Sequence, residues 1–111
     1  MTDVTWPPEW LRGVLEPCVL HVLADGPTYG YAITERLDEL GLGRLKGGTL
    51  YPILGRLEEA GLVQTEWRAG DSGPGRKYYR LTPDGGAGLH ERAATWRAFS
   101  DNLTALLKEH S

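Results

Sequence analysis

Three kinds of chemistry can be asked of the reactive side chains in this sequence. The run Gly70-Asp71-Ser72-Gly73-Pro74-Gly75-Arg76-Lys77 has the glycine content of a phosphate-cradling loop. That chemistry needs a lysine on the phosphates, then Ser or Thr on Mg²⁺, at the start of a helix. Here Arg76 stands at the lysine position and Lys77 at the hydroxyl position, and the residues that follow read as a strand. His21, His90 and His110 share no metal-binding spacing. The single cysteine, Cys18, leaves no internal disulfide and no cysteine cluster to form. It lies in the apolar run Cys18-Val19-Leu20 and reads as a small buried hydrophobe rather than a nucleophile. No nucleophile–base pair or carboxylate pair stands out, so no enzyme activity and no cofactor are expected. What remains is cation chemistry. Arg56, Arg76 and Lys77 can hold phosphates, and an arginine can also pair with a guanine edge.

Those cations need elements to aim them. Leu50, Ile53, Leu54 and Leu57 recur at helical spacing, so residues 48–61 read as a helix with one apolar face. Thr49 is placed to cap it, Pro52 to sit in its first turn, and Gly61 to stop it. The opposite face carries Gly48, Pro52, Gly55 and Arg56. A face that bare suits close approach to a polyanion, although a glycine-rich core helix would look the same. Arg56 on it reads as a contact to a phosphate or a base edge, or as the partner of Glu59 or Glu35.

Charge distribution favours the polyanion. The 111-residue chain has a net charge of −3, yet from Arg44 to Arg80 seven bases face four acids. That segment is therefore +3 and the remainder −6. Hydrophobic content of 41% and charged content of 24% suit a single soluble domain. No apolar run approaches the ~20 residues of a membrane span, and no leader pattern opens the chain, so a cytoplasmic protein without a membrane partner is expected.

Taken in order, residues 1–8 read as an extended arm, whose Trp6, with Trp10 beyond it, docks on another element or subunit. Leu11 to Ala24 has a broad apolar face, and Pro17 implies a kink or a helix starting near Glu16. Thr28 caps a helix from Tyr29 to Leu40. Tyr29 and Tyr31 are expected to pack between helices, with Tyr29 also placed to reach a DNA backbone. The helix over 48–61 completes a helix-turn-helix pattern. Residues 61–68 and 76–81 alternate as two strands around a glycine-rich tip, a β-hairpin with Arg76 and Lys77 at its neck. Thr82 caps and Pro83 opens a long helix to about Glu109. Along it Leu89, Trp96, Leu103 and His110 are spaced by seven, with Phe99 and Leu107 among the residues between. Such a stripe pairs helices across a dimer or folds back on its own domain. The expected architecture is mainly α with a small β-hairpin. Residues 1–82 form a winged helix-turn-helix domain with its N-terminal arm and helix, and residues 83–111 form a C-terminal dimerisation helix.

Three blocks of the chain resemble the PadR family of bacterial transcriptional regulators. They are Gly26-Pro27-Thr28-Tyr29-Gly30-Tyr31-Ala32-Ile33, Gly48-Thr49-Leu50-Tyr51-Pro52-Ile53-Leu54 with Arg56-Leu57-Glu58 and Gly61-Leu62-Val63, and Arg76-Lys77-Tyr78-Tyr79-Arg80-Leu81-Thr82-Pro83-Asp84-Gly85. They run in order over about three quarters of the chain, and the length is similar to the short subfamily with a single C-terminal helix. The resemblance implies a homodimeric repressor on a pseudo-palindromic operator in double-stranded DNA. It would place Thr49, Tyr51, Pro52 and Arg56 at or near DNA from the third helix, and Arg76 and Lys77 from the wing. Gly55 departs from this, removing a side chain that could read a base. Multidrug-sensing members of the family stack planar aromatics on a tryptophan of the last helix, which makes Trp96, with Phe99 beside it, the place for a small aromatic effector. Plain packing is the alternative for Trp96. The dimer interface would take Trp10, Leu89, Trp96, Leu103 and Leu107. Two other functions fit the same residues: a winged-helix protein-interaction module, and a small-molecule-binding dimer without DNA binding.

Overall fold

Residues 6–70 and 73–108 are described by the computed structural model. The arm expected over residues 1–8 lies largely outside them. Pro8–Leu11 is one helical turn, α1. A turn over 12–14 separates it from α2, Leu15–Ala24, so the apolar stretch from Leu11 is not one helix. Pro17 stands third in α2, where an N–H would have no helical acceptor. Trp6 docks as expected, its indole N–H donating to the Gly41 carbonyl at 2.8 Å.

Thr28 does not cap a helix. Thr28–Tyr29 is a short strand, β1, and α3 runs Gly30–Glu39 after an extended Tyr29. The sequence hides β1 because two residues are too few for alternation to show.

The following helix, α4, is Gly47–Glu59, with Leu50, Ile53, Leu54 and Leu57 all buried. Burying each such side chain contributes about 1.5–3 kcal/mol, enough to hold a helix with three glycines. Thr49 is not its cap. The helix starts two residues earlier, after an extended Lys46, and Thr49 is exposed in its first turn. Pro52 is sixth rather than in the first turn, so the exposed Gly48 carbonyl loses its helical donor. Gly61 ends the element with φ +78°, a backbone that other residues rarely adopt.

β2, Val63–Arg68, and β3, Arg76–Leu81, pair antiparallel from Val63↔Leu81 to Arg68↔Arg76. The other edge of β3 takes β1 through Thr28↔Tyr79 and Tyr29↔Tyr78, giving a three-stranded sheet in the order β1-β3-β2. The core lies between this sheet and the helices. Leu15, Val19, Leu20 and Leu23 of α2 meet Ile33 and Leu37 of α3, the leucines of α4, and Val63 and Tyr79.

The last helix, α5, is Pro83–Lys108. Its start is fastened three times. The Thr82 hydroxyl accepts from the Gly85 N–H at 2.9 Å and donates to the Gly61 carbonyl at 2.7 Å, and the Thr82 N–H donates to the Leu62 carbonyl at 3.1 Å. Gly85 is buried against that same carbonyl, which a Cβ would overlap. Leu89 packs on the core of its own chain. Farther along, Phe99, Leu103, Leu106 and Leu107 are exposed. His110, the last member of the seven-residue stripe, lies outside the described residues.

Candidate nucleic-acid interface

The leucines of α4 turn inward, so Gly48, Pro52 and Gly55 come out together as an outer face that is bare as far as Glu59, the last residue of the helix. Tyr51 lies on one shoulder of that face, and Thr49 and Arg56, seven apart, share the other. The two shoulders lead to different surroundings.

Tyr51 leans toward the sheet. Its ring sits on Gly30, the first residue of α3, where a Cβ would overlap the phenol oxygen and approach Cζ to 2.9 Å. Glycine at that position is what lets the tyrosine in. Tyr51 is nonetheless 53% exposed, because its other side faces a cleft of about 630 Å³. Tyr29, Tyr31, Trp67, Arg76, Lys77 and Tyr79 complete the walls. Among the described residues no carboxylate lines it.

Cations and rings alternate around this cleft. At its rim the Arg76 guanidinium lies 4.5 Å from the centre of the Tyr29 ring; on the sheet face turned away from Lys77 and Tyr79, Tyr29 packs at a tilt against Tyr78 at 5.5 Å, and the Arg68 guanidinium lies 4.3 Å from Tyr78. The β1–β3 register makes Tyr29 and Tyr78 direct neighbours, so the missed strand is what builds this stack. Lys77 holds its ammonium 5.6 Å from the Tyr79 ring, and Arg44 covers Tyr31 at 5.5 Å. A ring fixes a long cation without neutralising it, but Arg68 is also paired with Glu66 at 3.1 Å. Tyr31 is exposed, so it does not pack between helices as its place in the sequence suggests. Tyr79 is buried at the floor. Burial pushes its hydroxyl above the usual tyrosine range, and nearby Tyr51 and Glu58 add to this.

Arg56 looks the other way. Its Nε lies 3.5 Å from Glu16 on α2, which is neither of the partners expected from sequence. The other oxygen of Glu16 lies 3.7 Å from Arg92 on α5. The side chains are substantially exposed, and such pairs contribute at most about 1 kcal/mol. Glu16 also lines a second concavity, a groove of about 1210 Å³ between the N-terminal segment and α5. Trp6, Trp10, Trp96, Phe99, Leu103 and Leu107 line it, and the Trp96 and Phe99 rings lie 5.7 Å apart. Cys18 lies against the core nearby, and burial raises its thiol, which fits its expected part as a small hydrophobe.

The structure therefore gathers Tyr29, Tyr51, Arg76 and Lys77 at one cleft. It leaves Thr49, Pro52 and Arg56 on α4 beyond that cleft and collects Trp10, Trp96, Phe99, Leu103 and Leu107 at the groove. Sequence reasoning missed Gly30, Tyr31, Arg44 and Trp67 at the cleft, and Glu16 behind Arg56. The alternation of Val63, Thr65 and Trp67 was a usable signal for Trp67. Among the described residues no cluster of His, Cys, Asp or Glu could hold a metal ion, and no helix is long and apolar enough to cross a membrane.

A helix with a bare face beside a basic, aromatic β-wing defines a winged-helix DNA-binding protein. The sequence profile of the transcriptional regulator PadR-like family matches residues 19–91. The transcriptional regulator Rv3488 of Mycobacterium tuberculosis is 42% identical over 83 residues, covering 75% of this chain and 76% of that one. Among solved structures, a PadR family transcriptional regulator from Eggerthella lenta superposes with a TM-score of 0.80 at 41% identity, covering 89% of this chain and 86% of that one. A PadR-like transcriptional regulator from Bacillus cereus gives 0.78 at 33% identity, over 89% and 96% of the two chains. The chain belongs to the PadR-like family of transcriptional regulators. Its members are DNA-binding regulators rather than enzymes.

Proposed function

We propose that this regulator is a homodimeric repressor that lays α4 into the major groove of a pseudo-palindromic operator and is released by a small aromatic effector. The observation that carries this is the join between the outer face of α4 and the basic cleft beside it, which no carboxylate among the described residues lines. Gly48, Pro52 and Gly55 admit the backbone of the duplex closely. Thr49, Tyr51 and Arg56 are the side chains left to read or grip it, and Tyr29, Arg76 and Lys77 take the flanking phosphates. With so few hydrogen-bonding groups on the reading face, DNA shape supplies part of the specificity.

Two reading helices are needed for a palindrome, and the exposed half of α5 supports a dimer. Trp96, Leu103 and Leu107 of α5, with Trp10 across the groove, are the contacts we assign to the partner. Leu89 sets α5 on its own domain, so the boundary between winged helix and dimerisation helix, placed at residue 83 from sequence, is better drawn after the docked first turns of α5. Trp96 and Phe99 offer two ring faces to a planar ligand in the same groove.

Selection of duplexes from random-sequence DNA, followed by footprinting and sedimentation, tests this reading. The expected outcome is a dimer protecting two half-sites about 34 Å apart, with transcription from that template reduced. A monomer that protects a single half-site, or transcription that rises, would overturn it.

A further inference from the structure

Trp67 has no structural reason to be where it is. It is 73% exposed, the most exposed of the large hydrophobic side chains. Along β2 the side chains alternate, so Trp67 shares a face with Val63 and Thr65. Val63 is in the core and Thr65 is half-buried, its hydroxyl donating to Glu58 of α4 at 3.1 Å. Trp67 is the next residue outward on that core-facing side, where the core has ended. It therefore looks into the cleft beneath the wing and not away from the molecule. Its cross-strand neighbour is Lys77, and Tyr51 of α4 is across the gap.

A tryptophan left in water at such a place is an interface residue, and the charges around it choose the partner. Arg76 and Lys77 line the cleft and Arg44 covers its Tyr31, no carboxylate among the described residues is in its lining, and the nearby Glu58 carboxylate is held by the Thr65 hydroxyl. The occupant is anionic. We infer that Trp67 is a DNA-contacting residue, its indole packing on the deoxyribose of the strand that crosses the cleft while Lys77 holds the adjoining phosphate. A ring on the sugar cannot distinguish bases. Trp67 thus adds affinity and fixes the height of α4 in the groove without adding sequence preference.

This rests on the DNA-binding reading, and the test separates the two. Wild type, Trp67→Ala and Trp67→Phe are titrated with a duplex selected by the wild-type chain and with a scrambled duplex, at several salt concentrations. Tryptophan emission is recorded alongside. We expect Trp67→Ala to weaken binding about tenfold, equally for both duplexes, with the salt slope unchanged because no charge is lost. Trp67→Phe should retain most of the affinity and lose the largest part of the emission change on DNA addition. Wild-type affinity in Trp67→Ala, or an undiminished emission change in Trp67→Phe, overturns the assignment of Trp67 alone. Failure of the wild-type chain to bind any duplex overturns the DNA-binding reading itself. Unchanged melting of both variants is the control that they fold.

Discussion

Two concave surfaces of this molecule expose aromatic rings, and the side chains set among those rings differ. In the cleft under the wing the rings are tyrosines and one tryptophan, interleaved with arginine and lysine and free of carboxylates among the described residues. In the groove along α5 the rings are tryptophans and a phenylalanine, accompanied by leucines and by charges of both signs: Glu9, Glu16 and Glu91 with Arg12 and Arg92. Tyrosine carries a hydroxyl that suits a phosphate-lined surface, while leucine at helical spacing suits another helix. Exposure alone would not separate the two, since Phe99 is 60% and Tyr51 53% exposed. What separates them is the company of the rings, cations alone in the cleft and leucines with charges of both signs in the groove.

The contrast breaks most visibly at the groove. Replacing Leu103 and Leu107 together by Asp should give a folded monomer in sedimentation, and duplex affinity should fall about 10²–10⁴-fold as the second half-site is lost. A dimer of unchanged affinity would place the partner elsewhere. At the cleft, Arg76→Ala with Lys77→Ala should lower the slope of log affinity against log salt by about 2, one for each phosphate contact, with dimerisation untouched. Gly30→Ala should sharpen the distinction further. A Cβ there displaces Tyr51, costing about 1–3 kcal/mol in denaturant unfolding and weakening DNA binding, with no effect on the dimer. Glu16→Gln is the mildest. It should change stability by less than about 1 kcal/mol and tighten DNA binding a few-fold, because Arg56 loses the carboxylate that competes with phosphate. Weaker binding in that variant would mean that Glu16 positions Arg56 for DNA.

How much of this could be read from the sequence follows from the range of each signal. The leucines of α4, the Thr82–Pro83 start of α5 and the Val63–Arg68 alternation are local patterns, and each element formed where its pattern lies. Strand β1 was illegible, because its two residues become a strand only through pairing with β3, some fifty residues later. The cap at Thr49 failed for a related reason. Burial of the apolar face drew in Gly47 and Gly48, which have poor propensity of their own. Arg76 and Lys77 could be picked out by type. The partner of Arg56 could not, since Glu16 is forty residues away and comes near only when α2 packs on α4. The exposure of Trp67 was hidden for the same reason, as nothing in β2 says where the helices beneath it stop.

The anchoring of α5 has a mechanical consequence. Its first turn is fixed to the residues that follow α4, through Thr82 on the Gly61 and Leu62 carbonyls and Gly85 pressed against Leu62, while its far half stands clear of its own domain. Leu89 on the core and Arg92 beside Glu16 set the point beyond which α5 is free to swing. The part of α5 beyond Arg92 is about 24 Å long at 1.5 Å per residue, so a tilt of about 5° there swings its end by roughly 2 Å. In the dimer proposed above, a displacement of that size between the two ends would be geared down to a small, stiff rotation at the base of α4.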